Sequence, residues 1–344
     1  MCRPGFEKEC AGEIIQIANR QVSSTYIQAR ENSGIVYLVS HSNAEITGLI
    51  HTVAFKQLVF SRQWMMTTNK ALSLPDNNRL PAILNTIKKF DCHVQAIEMD
   101  YADTNEGKAL NKFCRQFKPH LLEALQQHHL LNDHAPWRLH LFFHHSQQVD
   151  IGLSPVANSA QHAMGITRLK MPAAAPSRST LKLEEAIHWF LSPARQQKLL
   201  VPGMHAVDLG AAPGGWSWQL VQRGCLVTAI DNGPMQDALM HTGMVEHLQT
   251  DAFTYAPAKK VDWLVCDMAE RPLHVSRLIA RWFKQQQCSH AIFNLKLPMK
   301  KRLACVQECL ALLDKSLSSA KISYYIQAKQ LYHDREEMTV CIIT

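Results

Sequence analysis

The chain has 344 residues, 47% of them hydrophobic and 19% charged, ordinary globular usage that excludes a disordered chain and suggests about two domains. Its net charge of +7 is uneven: residues 1–150 hold 15 Lys and Arg against 14 Asp and Glu, and residues 151–344 hold 21 against 15, a C-terminal excess that fits a polyanionic partner such as RNA. No apolar run approaches the ~18–20 residues of a membrane span, and Met1-Cys2-Arg3-Pro4-Gly5 lacks an apolar signal core, so a cytoplasmic protein without membrane contact is expected.

Residues 6–16 read as a helix entered through Pro4 and Gly5. Residues 34–40 are β-rich, 56–64 read as another strand, and 65–72 as a turn or loop. Residues 81–90 read as a helix with Ile83, Leu84 and Ile87 on one face. A strand over 92–101 follows, then a helix over 104–118 capped at Asp103 or Thr104. Residues 137–145 read as a strand. This rhythm suggests an α+β region of ferredoxin-like type. His128, His129, His134, His140, His144 and His145 lack clustered carboxylates or cysteines, so surface or RNA-contacting roles are expected and a metal site is not. Trp137, Phe142 and Phe143 are expected in the core.

A Pro/Ala/Ser stretch at 171–177 reads as an extended connector. Beyond it the rhythm is regular. Strands are expected over 204–209, 225–230, 245–249, 261–266, 290–295, 322–327 and 338–343. Helices are expected over 214–223, 275–286 and 302–317. Such alternation means an α/β, Rossmann-like parallel sheet with helices on both faces.

The sharpest local signal is Val207-Asp208-Leu209-Gly210-Ala211-Ala212-Pro213-Gly214-Gly215-Trp216. An apolar strand runs into a glycine-rich turn that opens a helix, where the backbone can approach a ligand and free N–H donors point outward. The spacing is not the Gly-x-Gly-x-x-Gly of dinucleotide binders, which argues against a nicotinamide-dependent dehydrogenase. Asp231 follows Gly210 by 21 residues and suits the hydroxyls of an adenosine ribose. Asp251 after the third strand is placed for the adenine edge, and Asp267 ends the fourth strand. Together they suggest a nucleoside site.

Two lysines add chemistry. Lys182 lies in the first turn of a helix capped by Ser179 or Thr180, an electrostatically poor place for a cation. Lys296 follows the fifth strand on the rim that holds Asp267. Desolvation and a neighbouring cation lower an amine from its usual pKa of ~10.4 towards the ~7–8 of a useful base. Asp267 counters this in part and could instead orient the amine, so Lys296 reads as an uncharged base for a weakly acidic alcohol with Asp267 as its partner. Lys300, Lys301 and Arg302 suit phosphates.

On these residues the C-terminal part, 171–343, resembles the methyltransferases that act on ribose 2'-hydroxyls of RNA, relatives of the heat-shock ribosomal RNA methyltransferase with a Lys-Asp-Lys-Glu tetrad on a Rossmann-like fold. Lys182, Asp267 and Lys296 match its first three positions. Glu337, directly before the last strand, is taken as the fourth, with Glu336 adjacent. Cys2 to Cys10, Phe113-Cys114-Arg115, Asp231 to Met235, Asn294 to Arg302 and Gln330 to Glu337 are similar to the bacterial 23S ribosomal RNA 2'-O-ribose cytidine methyltransferases over nearly the whole chain. The resemblance implies S-adenosylmethionine as methyl donor and 23S ribosomal RNA, not DNA, as partner, with a cytidine of the peptidyl-transferase loop as target. It implies that Ser179, Ala212, Pro213, Gly214, Gly215, Asp231, Asp251 and Asp267 line the cofactor site. Its domain plan is a ferredoxin-like segment over 1–50, a THUMP-like RNA-binding domain over 51–155, a linker over 156–176 and the Rossmann-like domain over 177–344. The sequence does not fix the oligomeric state, and a monomer is the expectation. The family's short apolar strand ahead of Cys2-Arg3-Pro4-Gly5 is not present, so a different start or a truncated first strand is expected.

The competing readings leave different traces. A base N-methyltransferase carries Asn/Asp-Pro-Pro-Tyr where Cys266-Asp267-Met268-Ala269-Glu270 stands. A cytosine C5-methyltransferase needs a nucleophilic Pro-Cys, and Cys266 lies in an apolar strand, where a buried inert thiol is expected. A ribosome-assembly RNA-binding protein with a vestigial site is the alternative outside enzymology.

Overall fold

Residues 1–21, 25–67 and 71–344 are described in a computed structural model of the chain. They fall into two units, Met1–Ile166 and Thr167–Thr344.

The first unit runs α1 (Glu7–Ala18), β1 (Thr25–Ala29), β2 (Val36–Ser40), α2 (Asn43–Thr52), β3 (Met66–Thr67), β4 (Leu72–Ser73), α3 (Leu80–Lys88), β5 (Ala96–Tyr101), α4 (Asn105–Gln127), β6 (Trp137–His145) and β7 (Gln148–Pro155). β1 and β2 form an antiparallel ribbon. β6 lies between β5, parallel to it, and β7, antiparallel. The strand expected over 56–64 does not form. The N–H groups of Val59 and Phe60 donate to the Glu13 carboxylate of α1 at 2.5 and 3.1 Å, so a side chain replaces the neighbouring strand. The loop expected over 65–72 holds β3 and the start of β4, and its residues 68–70 lie outside the described residues. The helix expected to end at 118 continues through Pro119 to Gln127. Proline removes one helical hydrogen bond, but the buried face of Leu121, Ala124 and Leu125 carries the helix on.

Phe142 and Phe143 are buried as expected, whereas Trp137, at the start of β6, is only half-buried. His140 is not a surface residue: it is fully buried between Asp100 (2.7 Å) and Ser154 (2.8 Å). The connector is shorter than 156–176. Arg138 donates to Ser159 Oγ at 3.0 Å and to the Ala160 carbonyl, and Met164 N–H donates to Asp100. Residues 156–166 therefore belong to the first unit, and so do 51–65, since Cys2 bridges Ser61 and the Met1 ammonium donates to the Gln63 carbonyl.

The second unit runs α5 (Thr180–Phe190), α6 (Pro193–Leu199), β8 (His205–Leu209), α7 (Gly215–Val221), β9 (Leu226–Ile230), α8 (Asp237–Met240), β10 (Val245–Leu248), β11 (Val261–Cys266), α9 (Pro272–Lys284), β12 (Cys288–Lys296), α10 (Arg302–Ser319), β13 (Tyr325–Lys329) and β14 (Glu337–Ile343). The sheet order is β10-β9-β8-β11-β12-β14-β13. From β8 the chain moves one way to β9, and from β11 the other way to β12. Right-handed crossovers then put α7 and α9 on opposite faces. Trp263 and Val265 of β11 join the buried cluster under α5 and α7. Alternate residues Leu264 and Cys266, also buried, face the other layer.

The sheet is mixed, where an all-parallel one was expected. β14 is antiparallel to β12 and to β13. Residues 330–336 are too few for a helical crossover, so the chain turns back as a hairpin and β14 slots between its neighbours. Because β14 runs backwards, its first residue, Glu337, pairs in register with the last of β12, Lys296.

Candidate active site

The rim formed by the C-terminal ends of β8, β9, β11 and β12 gathers the residues singled out above. Gly214, at φ +110°, is the left-handed residue that opens α7, a conformation open to glycine. At Gly215 a Cβ would collide with Ser179 Oγ, so the turn and the start of α5 touch only because this residue has no side chain. Asp231 accepts the Ala212 N–H at 3.0 Å and the Gly233 N–H at 2.7 Å, fixing the turn against the end of β9. Asp251 is exposed and accepts the Phe253 N–H at 2.9 Å.

Asp208, inside the glycine motif but not singled out from the sequence, lies 1% exposed beneath the turn. Its Oδ2 accepts from Ser217 Oγ at 2.7 Å, and its Oδ1 has no partner among the described residues. Burial pushes this carboxyl up to about 7, against the Ser217 hydrogen bond and with help from Asp267 and Asp231. A buried carboxylate oxygen with no donor is costly. It fits a site that receives a cationic or N–H-bearing ligand group, as the amino end of S-adenosylmethionine would be. Asp231 and the cramped glycine turn fit its nucleoside end.

One expectation follows from Asp208. Its folded pKa exceeds the unfolded ~3.9, so the folded state holds this proton more tightly, and stability falls as pH rises from ~4 through about 7. Between pH 5 and 8 the ligand-free protein should lose about 2–3 kcal/mol from this group. Asp208→Asn should remove that part of the slope in denaturant titrations, and an unchanged slope contradicts the assignment.

The four tetrad positions come together. Lys182 Nζ lies 3.1 and 3.4 Å from the two Asp267 oxygens and pairs with Glu337 Oε1. Lys296 Nζ lies 2.5 Å from Asp267 Oδ1 and also donates to Glu337 Oε2. The result is a closed ring of alternating cations and carboxylates. Lys296 is its most open member, at 30% side-chain exposure against 7% for Glu337. Glu336 stands outside the ring, 64% exposed, and takes Arg302 at 2.5 Å.

The ring corrects the expectation of an uncharged Lys296. Burial lowers this ammonium, but the charges and hydrogen bonds of Asp267 and Glu337 outweigh it and hold the pKa above the usual lysine range. The resting residue is protonated. Two lysines and two carboxylates balance to zero, and taking a proton from Lys296 leaves a net negative charge on the ring. Deprotonation therefore needs a positive charge brought close to it.

A second set of residues, missed in the sequence, holds the ring from behind. Asn294 Nδ2 donates to Asp267 Oδ1 at 3.2 Å, and Thr339 Oγ1 lies 2.7 Å from Asn294 Oδ1 and 2.9 Å from Asp334 Oδ2. Asn294 and Thr339 face each other in the β12–β14 register. Asp334 is fully buried, and burial followed by the Glu337 charge raises its pKa well above the usual carboxyl value. Glu185, from the helix that carries Lys182, accepts the Tyr332 and His333 N–H groups at 2.9 and 2.8 Å and the His333 ring at 2.7 Å. It ties α5 to the segment leading into Glu337. Cys266 is buried, and burial pushes its thiol up to about 12, which leaves it a poor nucleophile.

A nucleoside-type turn beside a Lys-Asp-Lys-Glu ring on this sheet defines an RNA methyltransferase of the FtsJ type. Residues 175–326 match the FtsJ-like methyltransferase family, residues 1–65 the RlmM ferredoxin-like domain, and residues 78–155 the N-terminal domain of ribosomal RNA large subunit methyltransferase M. The chain is 44% identical to the ribosomal RNA large subunit methyltransferase M of Cellvibrio japonicus, over 98% of this chain and 96% of that one. It is 46% identical to the protein of that name from Tolumonas auensis, over 98% and 93%. The chain belongs to the ribosomal RNA large subunit methyltransferase M family, whose methyl donor is S-adenosylmethionine.

Proposed function

We propose that this protein methylates the ribose 2'-hydroxyl of a cytidine in the peptidyl-transferase loop of 23S ribosomal RNA, in the cytoplasm. The observation that carries this reading is the closed ring of Lys182, Asp267, Lys296 and Glu337 at the rim of the glycine turn. Ser179, Ala212 to Gly215, Asp231, Asp251 and Asp267 hold the cofactor, joined by Asp208. Residues 78–155, beyond the ferredoxin-like segment, act as a THUMP-like RNA-binding domain.

S-adenosylmethionine supplies a methyl group on a positively charged sulfur. Lys296, whose side chain is 30% exposed, gives its own proton to solvent water before reaction. Its neutral amine then takes the proton of the ribose 2'-hydroxyl as that oxygen bonds to the methyl carbon with loss of the carbon–sulfur bond. Asp267 and Glu337 fix the position of the Lys296 amine. Lys182 holds both carboxylates at the spacing the amine needs. Alignment of the attacking oxygen at ~3–3.5 Å supplies most of the rate, and Lys296 adds about 10²–10⁴-fold as general base.

Labelled methyl donor incubated with unmodified 23S RNA should place label on a ribose, mapped by resistance of the adjacent phosphodiester to alkali. Label on a base, or cofactor binding with no label on RNA, overturns the proposal; the second result favours a vestigial site.

A further inference from the structure

The C-terminal charge excess concentrates on one helix. α9 carries no Asp or Glu and keeps one face for the core, burying Val275, Leu278, Ile279, Trp282 and Phe283. Its solvent face presents His274, Arg277, Arg281 and Lys284, spaced three or four residues apart and so stacked along about 15 Å of helix. Arg277, Arg281 and Lys284 line a groove against Leu312 and Ser316 of α10, with Ala280 in the lining. Arg281 gives one donor to the Phe253 carbonyl at 2.5 Å. Among the described residues, no carboxylate lies within ion-pair distance of Arg277, Arg281 or Lys284, and His274 has only the exposed Glu270, at 3.6 Å.

Helix energetics do not account for this row. Arg281 and Lys284 stand in the last turn, where the macrodipole favours cations by ~0.3–1 kcal/mol. Arg277 is mid-helix and gains nothing there. The row starts near the rim and runs away from it: Arg277 stands five residues into α9 and Lys284 twelve, about 8 and 18 Å along the helix axis. α9 begins a few residues after Asp267, at the end of β11, and α10 begins after Lys296, at the end of the neighbouring β12. The exposed Lys300 and Lys301 stand at that second opening. The groove therefore leads away from the tetrad rim, flanked by cations.

We infer that the α9–α10 groove is a phosphate track for the RNA strand whose ribose reaches Lys296. Its three cations follow the backbone and carry no base readout, since phosphate contacts position a strand and do not specify its sequence. The track rests on the proposal that the substrate is RNA, and adds where that RNA runs.

The test uses the full-length protein and unmodified 23S RNA. Among the described residues the side chains of Arg277 and Lys284 have no hydrogen-bond or ion-pair partner, so Arg277→Gln/Lys284→Gln should keep the fold and cofactor binding. The expected result is a rise in KM for RNA of about tenfold with kcat unchanged, and a slope of log affinity against log salt that flattens by about 1.4–1.8, at ~0.7–0.9 per phosphate contact. A control pair of equal charge loss, Lys198→Gln/Lys321→Gln at exposed lysines outside the groove, should leave KM and slope near wild type. An unchanged slope in the groove variant, or an equal change in both pairs, overturns the track. Failure of the wild-type protein to methylate RNA in the same assay instead overturns the function on which it rests.

Discussion

Lys296→Ala should cut methyl transfer by about 10²–10⁴-fold while S-adenosylmethionine binding stays close to wild type. Of the residues assigned to the cofactor the lysine meets only Asp267, which Lys182 and Asn294 still hold in its absence, and no bond joins it to the glycine turn, Asp231 or Asp208. Single-turnover transfer and equilibrium cofactor binding, read on the same preparation, separate the two effects. Lys296→Arg should fail nearly as badly, because a guanidinium keeps its charge and does not serve as a base. The pH dependence has a definite sign. Asp267 and Glu337 hold the resting Lys296 above the usual lysine range, so kcat/KM should rise with pH, close to tenfold per unit, across the neutral region. The stabilising effect of the same shift is fully present below the unfolded pKa of ~10.4 and is lost only above it. Activity and stability therefore part company between pH 7 and 10: the first climbs while this contribution to the second holds. Near wild-type transfer by the Ala variant, or a flat pH profile, removes Lys296 from its role.

The sequence displayed those parts of the site that one segment can encode. The glycine turn, Asp231, Asp267 and Lys296 each stand at the end of an apolar strand, and Lys182 in the first turn of a helix, so local pattern was enough to place them on one rim. The choice of Glu337 over Glu336 rested on its position directly before the last strand, and the β12–β14 register sets it opposite Lys296. What stayed hidden depends on pairing between distant segments. Asn294 and Thr339 are unremarkable polar residues until an antiparallel β14 sets them side by side behind Asp267. Asp334 and Glu185 gain meaning only from the loop they hold. The Lys296 charge was misjudged for the same reason: the sequence placed one carboxylate beside the amine, and the fold supplies two. In the first unit, 56–64 has the apolar content of a strand, but Glu13 from another segment takes two of its backbone donors, and nothing local announces that.

Glu337→Gln and Glu336→Gln should diverge sharply, although the residues are adjacent. Glu337 is 7% exposed and bonded to both tetrad lysines. Its neutral replacement leaves two ammonium groups to one carboxylate, Asp267. Losing one partner of a fully buried ion pair costs ~3–5 kcal/mol. With Lys182 and Lys296 17% and 30% exposed, water screens part of that, and about 1–2 kcal/mol is expected. The catalytic effect is larger and two-sided. Glu337 is one of the two charges that raise Lys296, so without it the amine loses its proton more readily and the rising limb of the pH–rate profile moves to lower pH. The same change frees the amine to swing, so the plateau rate should fall by about 10²-fold, the size expected when a reacting group is misplaced by ~1 Å. A lower plateau with an earlier rise is a signature that simple destabilisation does not produce. Glu336→Gln removes one exposed partner of Arg302, worth under ~1 kcal/mol, and should leave both limb and plateau unmoved. Equal losses in the two variants, or a limb in Glu337→Gln that stays where the wild type has it, would show that Glu337 does not set the charge of Lys296.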